Sequence, residues 1–157
     1  MRRCDREVTD SAKIRDIIAA CHCCRLGFAD DGGKVYIVPL NFGYQEEDGQ
    51  RTFFFHSATE GRKIDLIEKT HYAGFELDTH YQLNPADTAC AHSARFQSVI
   101  GSGRVERIWE EAAKVAALRC IMRHNTGRED WAFSPQALKS VAIFRLDVEE
   151  ISAKEHT

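Results

Sequence analysis

The stretch "TFFFHSATEGRKIDLI", residues 52–67, decides the fold of this chain. Its first half is rich in aromatic and β-branched residues, which is typical of a β-strand. Its second half carries apolar residues at helical spacing, and we expect a short helix to begin at Thr59 or Glu60. The apolar residues of this helix are Ile64, Leu66 and Ile67. The stretch therefore predicts a strand that passes directly into a helix.

Successive side chains of this strand point to opposite faces. Phe53 and Phe55 share one face with Ser57, whereas Phe54 and His56 share the other. Phenylalanines in such a run usually fill a core. His56 is a candidate for chemistry because imidazole titrates near neutral pH, and the alternative is a histidine that is simply hydrogen-bonded to a carbonyl group.

The passage from strand to helix predicts an anion site. The first amides of a helix lack intrahelical partners, and the helix dipole makes that end positive. Gly61 allows close backbone approach, Arg62 can bind a phosphate with two parallel hydrogen bonds, and Lys63 adds a compact charge. The alternative is that both basic residues are merely solvated.

The segment before this stretch reads as a helix followed by a hairpin. A helix with an apolar face is predicted after Thr9 and Asp10, either of which can cap it. Its apolar positions are Ile14, Ile17, Ile18 and Cys21. The stretch "CCRLGFADDGGKVYIVPLNFGY" predicts two strands joined by a turn at residues 30–33. Pro39 cannot donate to a sheet, so we expect it at an edge or a bulge, with neighbouring backbone groups left free.

The segment after it alternates strands with one long helix. Strands are expected at residues 71–78, 94–108 and 140–153. An irregular loop is expected at residues 79–92, where it could border a site. A helix is expected from Trp109 to Arg123, ending at Gly127. Its predicted apolar face is Val115, Leu118, Ile121 and Met122. These elements predict a mainly β protein: one domain, residues 1–157, built as a six-stranded antiparallel barrel with flanking helices.

Composition excludes several classes of function. The 21 Lys and Arg against 24 Asp and Glu give a net charge of -3 in 157 residues, which argues against nucleic acid as a partner. No apolar run reaches the roughly 20 residues of a membrane span, and we expect a cytoplasmic protein. Cys21, Cys23 and Cys24 surround His22, but their spacing is not that of paired zinc ligands. We expect no metal site and no disulfides among the six cysteines.

Several motifs resemble those of one known family. "VPLNFGY", "FFFHSATEGRKIDLI", "SVIGSGRVE" and "MRHNTG" occur in an order that resembles the flavin-binding split-barrel proteins related to pyridoxamine 5'-phosphate oxidase. Within that family they are most similar to the 5-nitroimidazole-resistance branch, as is the opening "RRCDREVTD" at residues 2–10. The resemblance implies a Greek-key split barrel that forms a homodimer and binds one flavin, FMN or alternatively FAD, in each of two clefts between subunits.

The resemblance also implies roles for particular residues. Backbone groups of one strand are expected along the flavin ring, and the end of the strand in the opening stretch is expected beside it. Arg62 and Lys63 are expected to bind the flavin phosphate, and His56 is carried over as the candidate catalytic residue. Trp131 is expected either to cover the flavin from the partner subunit or to fill the interface. The remaining expected cofactor-binding residues are Val38, Pro39, Leu40, Asn41, Phe55 and Ser57, with Ser98 and Val99 from the neighbouring strand.

One departure from the branch is visible: Phe96 and Gln97 stand where tyrosine and arginine are common, and Arg95 could partly compensate. The leading interpretation is an FMN-dependent oxidoreductase that passes electrons from NAD(P)H to a small acceptor such as a nitroaromatic. No Rossmann glycine fingerprint is present, so the nicotinamide is expected to dock transiently. The alternatives are a pyridoxamine 5'-phosphate oxidase, a protein that senses through its thiols, and a non-catalytic flavin or haem binder. The candidate haem ligands are His56, His71 and His92.

Overall fold

The computed structural model describes residues 4–157, so Arg2 and Arg3 of the opening motif lie outside the described residues. The strands are β1 (Glu7–Val8), β2 (Cys24–Ala29), β3 (Val35–Leu40), β4 (Phe42–Glu47), β5 (Gln50–Ser57), β6 (Tyr72–Asn84), β7 (Ser93–Ile108) and β8 (Ala142–His156). The helices are α1 (Ser11–Ala20), α2 (Arg62–Thr70), α3 (Glu111–Thr126) and α4 (Pro135–Lys139). Short 3₁₀ turns occur at Cys4–Arg6 and Ala89–Ala91.

The strands form a single antiparallel sheet in the order β3-β2-β6-β7-β8-β5-β4, and β1 pairs with β8. The two strands at the ends of this order, β3 and β4, are separated in the chain by Asn41 alone. The sheet must therefore curve until its two edges meet, which makes it a split barrel. The predicted antiparallel barrel is confirmed, but one predicted strand is divided at Asn41 and the short β1 is additional.

The core lies inside the curved sheet. Phe53 and Phe55 both point into it and are fully buried, as the alternation of the opening stretch predicts. Apolar residues of α1 and α2 join the same core cluster, so these helices cover the open parts of the barrel. The helical members of the cluster are Ile14, Ile17, Ile18, Ile64, Leu66 and Ile67. Asp10 caps α1 by accepting a hydrogen bond from the amide of Ala12 at 3.0 Å.

Helix α3 packs against the outside of β4 and β5. The backbone of Gly43 approaches the helix so closely that a Cβ there would lie 2.6 Å from the amide nitrogen of Ile121. The buried residues of α3 are Ala117, Cys120 and Ile121. Of the predicted apolar face, Ile121 is buried, whereas Val115, Leu118 and Met122 are only partly buried, so the buried face is shifted in phase from the predicted one.

Two further predictions are corrected. Residues 79–92 are not one irregular loop, because β6 continues to Asn84 and pairs with the start of β7 beyond a bulge between Thr79 and Gln82. Helix α2 begins at Arg62, later than predicted, after Gly61 at φ 124°. That backbone angle, which glycine adopts freely, ends the extended chain at Gly61. None of the helices formed by residues 4–157 combines the length and hydrophobicity needed to cross a lipid bilayer.

Candidate functional site

The start of α2 presents the predicted basic pair. Gly61 is the N-cap and supplies no side chain to the first amides of the helix. Arg62 and Lys63 are the first two helical residues. The guanidinium of Arg62 donates to Asp30 Oδ2 at 3.1 Å and lies over the ring of Tyr36, 4.9 Å from its centroid. The cationic end of α2 is therefore held beside β3.

Among residues 4–157, strand β3 has one edge without a strand partner. It pairs with β2 on one side and stands at the end of the sheet order. Its first half lies beside Arg62 through Tyr36, and its end leads through Asn41 to Phe42, which pairs with Phe55 of β5. The free edge from Tyr36 to Asn41 is thus five steps of about 3.3 Å, or roughly 17 Å, long. Pro39 lies on this edge strand, which confirms its predicted position.

We call the surface between these elements the β3 cleft. Most of the residues that the sequence nominates border it: the edge of β3 with Asn41, the end of β5, and the start of α2. Pro39, Asn41 and His56 are exposed. The members are Val38, Pro39, Leu40, Asn41, His56, Ser57, Arg62 and Lys63. The arrangement offers unpaired backbone groups, an imidazole, and a helix N-terminus with two cations along one extended surface.

Phe55 does not belong to this surface. Its side chain is 0% exposed and packs against Phe53 and Phe144 inside the barrel. The side chain of Phe55 therefore does not make the predicted contact at this surface. An aromatic residue in a strand can stack on a ligand or fill a core, and the sequence alone does not distinguish the two. Ser57, two residues on, has its hydroxyl bonded to the carbonyl of Ala58 at 2.8 Å.

Three nominated residues lie elsewhere in the protomer. Strands β2 and β6 separate β7 from β3, so the expectation that Ser98 and Val99 come from a neighbouring strand is wrong within one protomer. Val99 is buried in the core, whereas Ser98 lies on the outer face of the sheet. Trp131 follows α3, and its indole Nε1 donates to the carbonyl of Arg128 at 3.1 Å.

The outer face that carries Ser98 is largely uncovered in the protomer. A row of paired residues crosses it from Ile37 through Gly27 and Gly74, and Ile100 lies in the next row. Ile37 is 63% exposed and Ile100 is 51% exposed. We call this surface, defined by Gly27, Ile37, Gly74, Ser98 and Ile100, the open sheet face. Gly27 and Gly74 leave one row of this face without side chains. The next row carries Arg25 and Glu76 beside Ile100, and Arg25 pairs with Glu76 on the same face.

A cluster at the end of α3 holds the junction between β3 and β4. Asn125 donates to the carbonyls of Phe42 and Ile121 at 2.9 and 2.8 Å. Asn41 donates to the carbonyl of His22 at 3.2 Å, which ties one end of the cleft to the chain after α1. The motif "MRHNTG", residues 122–127, contains Asn125, but the motif alone does not predict these contacts. Polar residues at the end of an otherwise apolar helix are the feature of the sequence that could have indicated this cluster.

His124 belongs to the same cluster. Its Nε2 lies 2.8 Å from the carbonyl oxygen of Cys21, so this nitrogen carries a proton and donates. Its ring lies 4.2 Å from that of Phe42. Burial of the imidazole lowers the pKa of His124.

The thiols around His22 are ill suited to chemistry. Burial raises the pKa of Cys21 to about 12 and also raises the pKa of Cys24, so both remain protonated at neutral pH. Cys24, the first residue of β2, is buried, whereas Cys23 before it is only partly buried. Within the part of the chain that the structure describes, no three His, Cys, Asp or Glu side chains are grouped in a way that could hold a metal ion.

Two histidines that the sequence offers as haem ligands differ in availability. His92 Nδ1 lies 3.0 Å from the carbonyl of Thr88, and its Nε2 accepts from the amide of Ala86 at 3.5 Å. Both ring nitrogens are engaged, which leaves no lone pair for a metal. His71 is exposed at the end of α2, where it adopts φ 51°.

The fold is that of a split-barrel protein, and the start of α2 is a candidate anion site. A family model described as pyridoxamine 5'-phosphate oxidase matches residues 10–155. The chain therefore belongs to the pyridoxamine 5'-phosphate oxidase family. No curated protein matches the chain significantly.

Solved structures with the same fold extend this assignment. A proposed 5-nitroimidazole antibiotic resistance protein from Bacteroides thetaiotaomicron is 30% identical, with a TM-score of 0.82 over 95% of this chain and 86% of that chain. This similarity confirms the resemblance to the nitroimidazole-resistance branch. A flavocytochrome from Azotobacter vinelandii is 22% identical, with a TM-score of 0.81 over 100% of this chain and 72% of that one. An FAD and heme binding protein from Mycobacterium smegmatis is 18% identical, with a TM-score of 0.80 over 96% and 73%. At these identities the last two show the fold alone.

Proposed function

We propose that the protein is a homodimeric flavoprotein that binds FMN in the β3 cleft and acts as an oxidoreductase. In this proposal it passes electrons from NAD(P)H to a small acceptor such as a nitroaromatic compound. The observation that carries the proposal is the alignment of the free β3 edge with the start of α2, which lies beside it through the contact of Arg62 with Tyr36. Flavin-binding and flavocytochrome proteins share the fold, which supports the same cofactor class.

The phosphate end of the cleft fits a monoester. The amides of Arg62 and Lys63 lie at the N-terminus of α2, where neither a capping side chain nor the helix itself supplies an acceptor. The side chain of Arg62 is 54% exposed and its guanidinium pairs with Asp30, so it can exchange this carboxylate for a phosphate. FMN, with a single phosphate group, matches a single helix start better than FAD does.

The other end of the cleft fits a planar ring. Backbone groups from Val38 to Asn41 lie along an edge that no strand covers within the described residues, and Pro39 removes one donor from it. A bound flavin would supply two-electron chemistry between a nicotinamide and an acceptor. His56 is exposed at the end of β5 close to Asn41, and we assign it the role of holding a proton for the acceptor.

The open sheet face supports the proposed homodimer. A second copy that covers Ile37 and Ile100 would remove exposed apolar surface from water, and the low glycine row allows two sheets to approach closely. Ser98 lies on this face, so the partner subunit can bring it toward a cleft that it does not reach in its own protomer. Trp131, which also lies outside the cleft, is assigned to the same composite site.

The test is the cofactor of the purified protein. We expect a flavin absorption band, and we expect mass spectrometry of the released cofactor to identify FMN. The double variant Arg62→Gln, Lys63→Gln should lose the flavin, whereas Lys69→Gln, in the last turn of the same helix, should retain it. Protein that binds neither FMN nor FAD on titration would overturn the proposal.

Oxidation of pyridoxamine 5'-phosphate is the second candidate, favoured by the description of the family model that matches residues 10–155. It requires groups for the substrate phosphate in addition to those that bind the flavin phosphate. The stretch "ISAKEHT", residues 151–157, contains no arginine for this purpose. Incubation of the flavin-loaded protein with pyridoxamine 5'-phosphate tests this candidate, because aldehyde product would favour it over nitroaromatic reduction.

A further inference from the structure

A cavity lies where β6, β7 and the end of β8 meet, away from the β3 cleft. Its volume is about 560 Å³, which is within the range of small-molecule sites. The lining residues are His80, Tyr81, Gln82, Arg95, Phe96, Gln97, His156 and Thr157. This lining combines one arginine and two histidines with two aromatic rings.

The backbone that forms the cavity departs from regular strand geometry at His80. The register between β6 and β7 shifts between Thr79 and Gln82, so His80 and Tyr81 lie in a bulge. His80 has φ 54°, in the left-handed region that non-glycine residues adopt at a cost. Bulges and such strained residues are frequent beside functional sites, where they redirect side chains.

A chain of hydrogen bonds fixes which ring nitrogen of His80 acts as the donor. The carboxylate of Glu155 is bonded by Lys13 and accepts from Gln97 Nε2 at 3.3 Å. The amide of Gln97 is thereby oriented, and its carbonyl Oε1 lies 2.9 Å from His80 Nδ1. Because a carbonyl only accepts, Nδ1 of His80 carries the proton. Its Nε2 is then the ring nitrogen left to meet a ligand.

His156 is oriented in the same way. Its Nδ1 lies 2.6 Å from the carbonyl oxygen of Ala94, so Nδ1 donates and Nε2 is again the remaining nitrogen. Its ring meets that of Phe96 edge to face at 6.4 Å. Arg95 lies on β7 next to Phe96 and lines the same cavity. Tyr81 is 70% exposed and supplies a second aromatic ring to the lining of the cavity.

We propose that this cavity binds a planar aromatic carboxylate. Arg95 forms a charge-assisted pair with the carboxylate. The Nε2 atoms of His80 and His156 carry lone pairs in these tautomers, so they accept hydrogen bonds from a hydroxyl or amino substituent of the ligand where it has one. The rings of Phe96 and Tyr81 contact the planar part. Gln97 acts as a positioning residue through His80. The assignment goes beyond the proposed flavin site and does not depend on it.

Three probes separate the features of the ligand: benzoate, its neutral analogue benzamide, and the non-planar acid cyclohexanecarboxylate. Isothermal titration calorimetry should show saturable binding of benzoate with one site per chain. Benzamide should bind about tenfold more weakly or worse, since it lacks the charge that meets Arg95. Cyclohexanecarboxylate should also bind more weakly than benzoate. Equal affinities for all three probes, or no benzoate binding, would overturn the proposal.

Variants locate the binding site. Arg95→Gln should weaken benzoate binding about tenfold, whereas Arg104→Gln, an exposed arginine on the same strand outside this cavity, should leave it unchanged. Gln97→Arg should disturb the His80 tautomer, because arginine has no acceptor for Nδ1–H. Long-range ¹H–¹⁵N NMR reads that tautomer directly. Benzoate affinity that is insensitive to Arg95→Gln in a folded variant would place the ligand elsewhere and contradict the assignment.

Discussion

At the scale of single residues, two aspartates of the turn between β2 and β3 control the cations of α2. Asp30 accepts from Arg62 at 3.1 Å, and Asp31 is bonded by Lys69. In the proposed function, a flavin phosphate must compete with the carboxylate of Asp30 for the guanidinium of Arg62. Asp30 therefore sets part of the affinity for the cofactor without contacting it.

The first prediction follows for Asp30→Asn. Asparagine keeps an oxygen for the amides of Gly32 and Lys34, which Asp30 Oδ1 now accepts, so the turn should persist. Because the ion pair is solvent-exposed and worth at most about 1 kcal/mol, FMN should bind up to about fivefold more tightly. Fluorescence titration of the flavin measures this change. Asp31→Asn is the control and should have no effect, and weaker FMN binding by Asp30→Asn would contradict the competition.

The second prediction concerns acid stability and His124. Burial lowers its pKa below the ordinary value near 6.5, so the folded protein favours the neutral imidazole and the unfolded chain binds the proton more readily. The free energy of unfolding should therefore fall as pH decreases from above 6.5 toward the lower pKa of the folded state. In His124→Gln, which retains a donor for the Cys21 carbonyl, this part of the decrease should disappear. Urea unfolding at pH 7 and pH 5 provides the comparison, and an identical pH dependence in both proteins would disprove the assignment.

At the scale of elements, contact between α3 and β4 depends on the absence of a side chain at Gly43. A methyl group there would meet backbone atoms of Cys120 and Ile121 at 2.6 to 2.9 Å. The helix also carries Asn125, which bonds the carbonyl of Phe42. The position of α3 is thereby coupled to the junction that ends the β3 cleft.

The third prediction is that Gly43→Ala destabilises the protein by about 1–3 kcal/mol, the usual range for overpacking. The helix must move outward, because the atoms that a methyl group meets belong to its backbone and cannot rotate away. Urea denaturation measures the loss, and weaker FMN binding should accompany it because the Asn125 contact moves with the helix. A variant with unchanged stability would show that α3 adjusts freely.

The elements themselves were largely predictable, and the exceptions share a cause. Alternation and helical spacing locate the strands and α1 because these are local properties of the chain. The division at Asn41 is not local, since "VPLNFGY" reads as one continuous strand and breaks only because its two halves join opposite edges of the sheet. The phase of α3 likewise depends on Gly43, about 75 residues away in the chain.

The site shows the same limit. Arg62 and Lys63 are recognisable because a glycine and a strand end precede them directly. His80, Arg95 and His156 form no motif, and only the pairing of β6, β7 and β8 brings them to one cavity. Ser98 can contribute to the proposed flavin site only if a second copy of the chain brings it to the cleft.

At the scale of the whole molecule, the open sheet face is where the protomer is incomplete. Ile37 and Ile100 are exposed on a sheet surface that also carries Gly27, Gly74 and the ion pair of Arg25 with Glu76, and Ser98 lies two residues from Ile100 on the same face. In the proposed dimer this face has two tasks: it removes apolar surface from water, and it completes each cleft with residues of the partner. Association and cofactor binding should therefore depend on each other.

The fourth prediction tests that dependence. The double variant Ile37→Lys, Ile100→Lys places like charges at the centre of the proposed interface, so gel filtration with light scattering should find monomers where the unaltered protein gives dimers. Flavin should be lost together with the dimer, although Arg62 and Lys63 are intact, because the partner's contribution is removed. Trp109→Lys replaces an apolar side chain that is 69% exposed outside this face and should remain dimeric with flavin bound. A monomeric double variant that still retains FMN would show that one protomer holds the cofactor alone, and a variant that stays dimeric would move the interface to another surface.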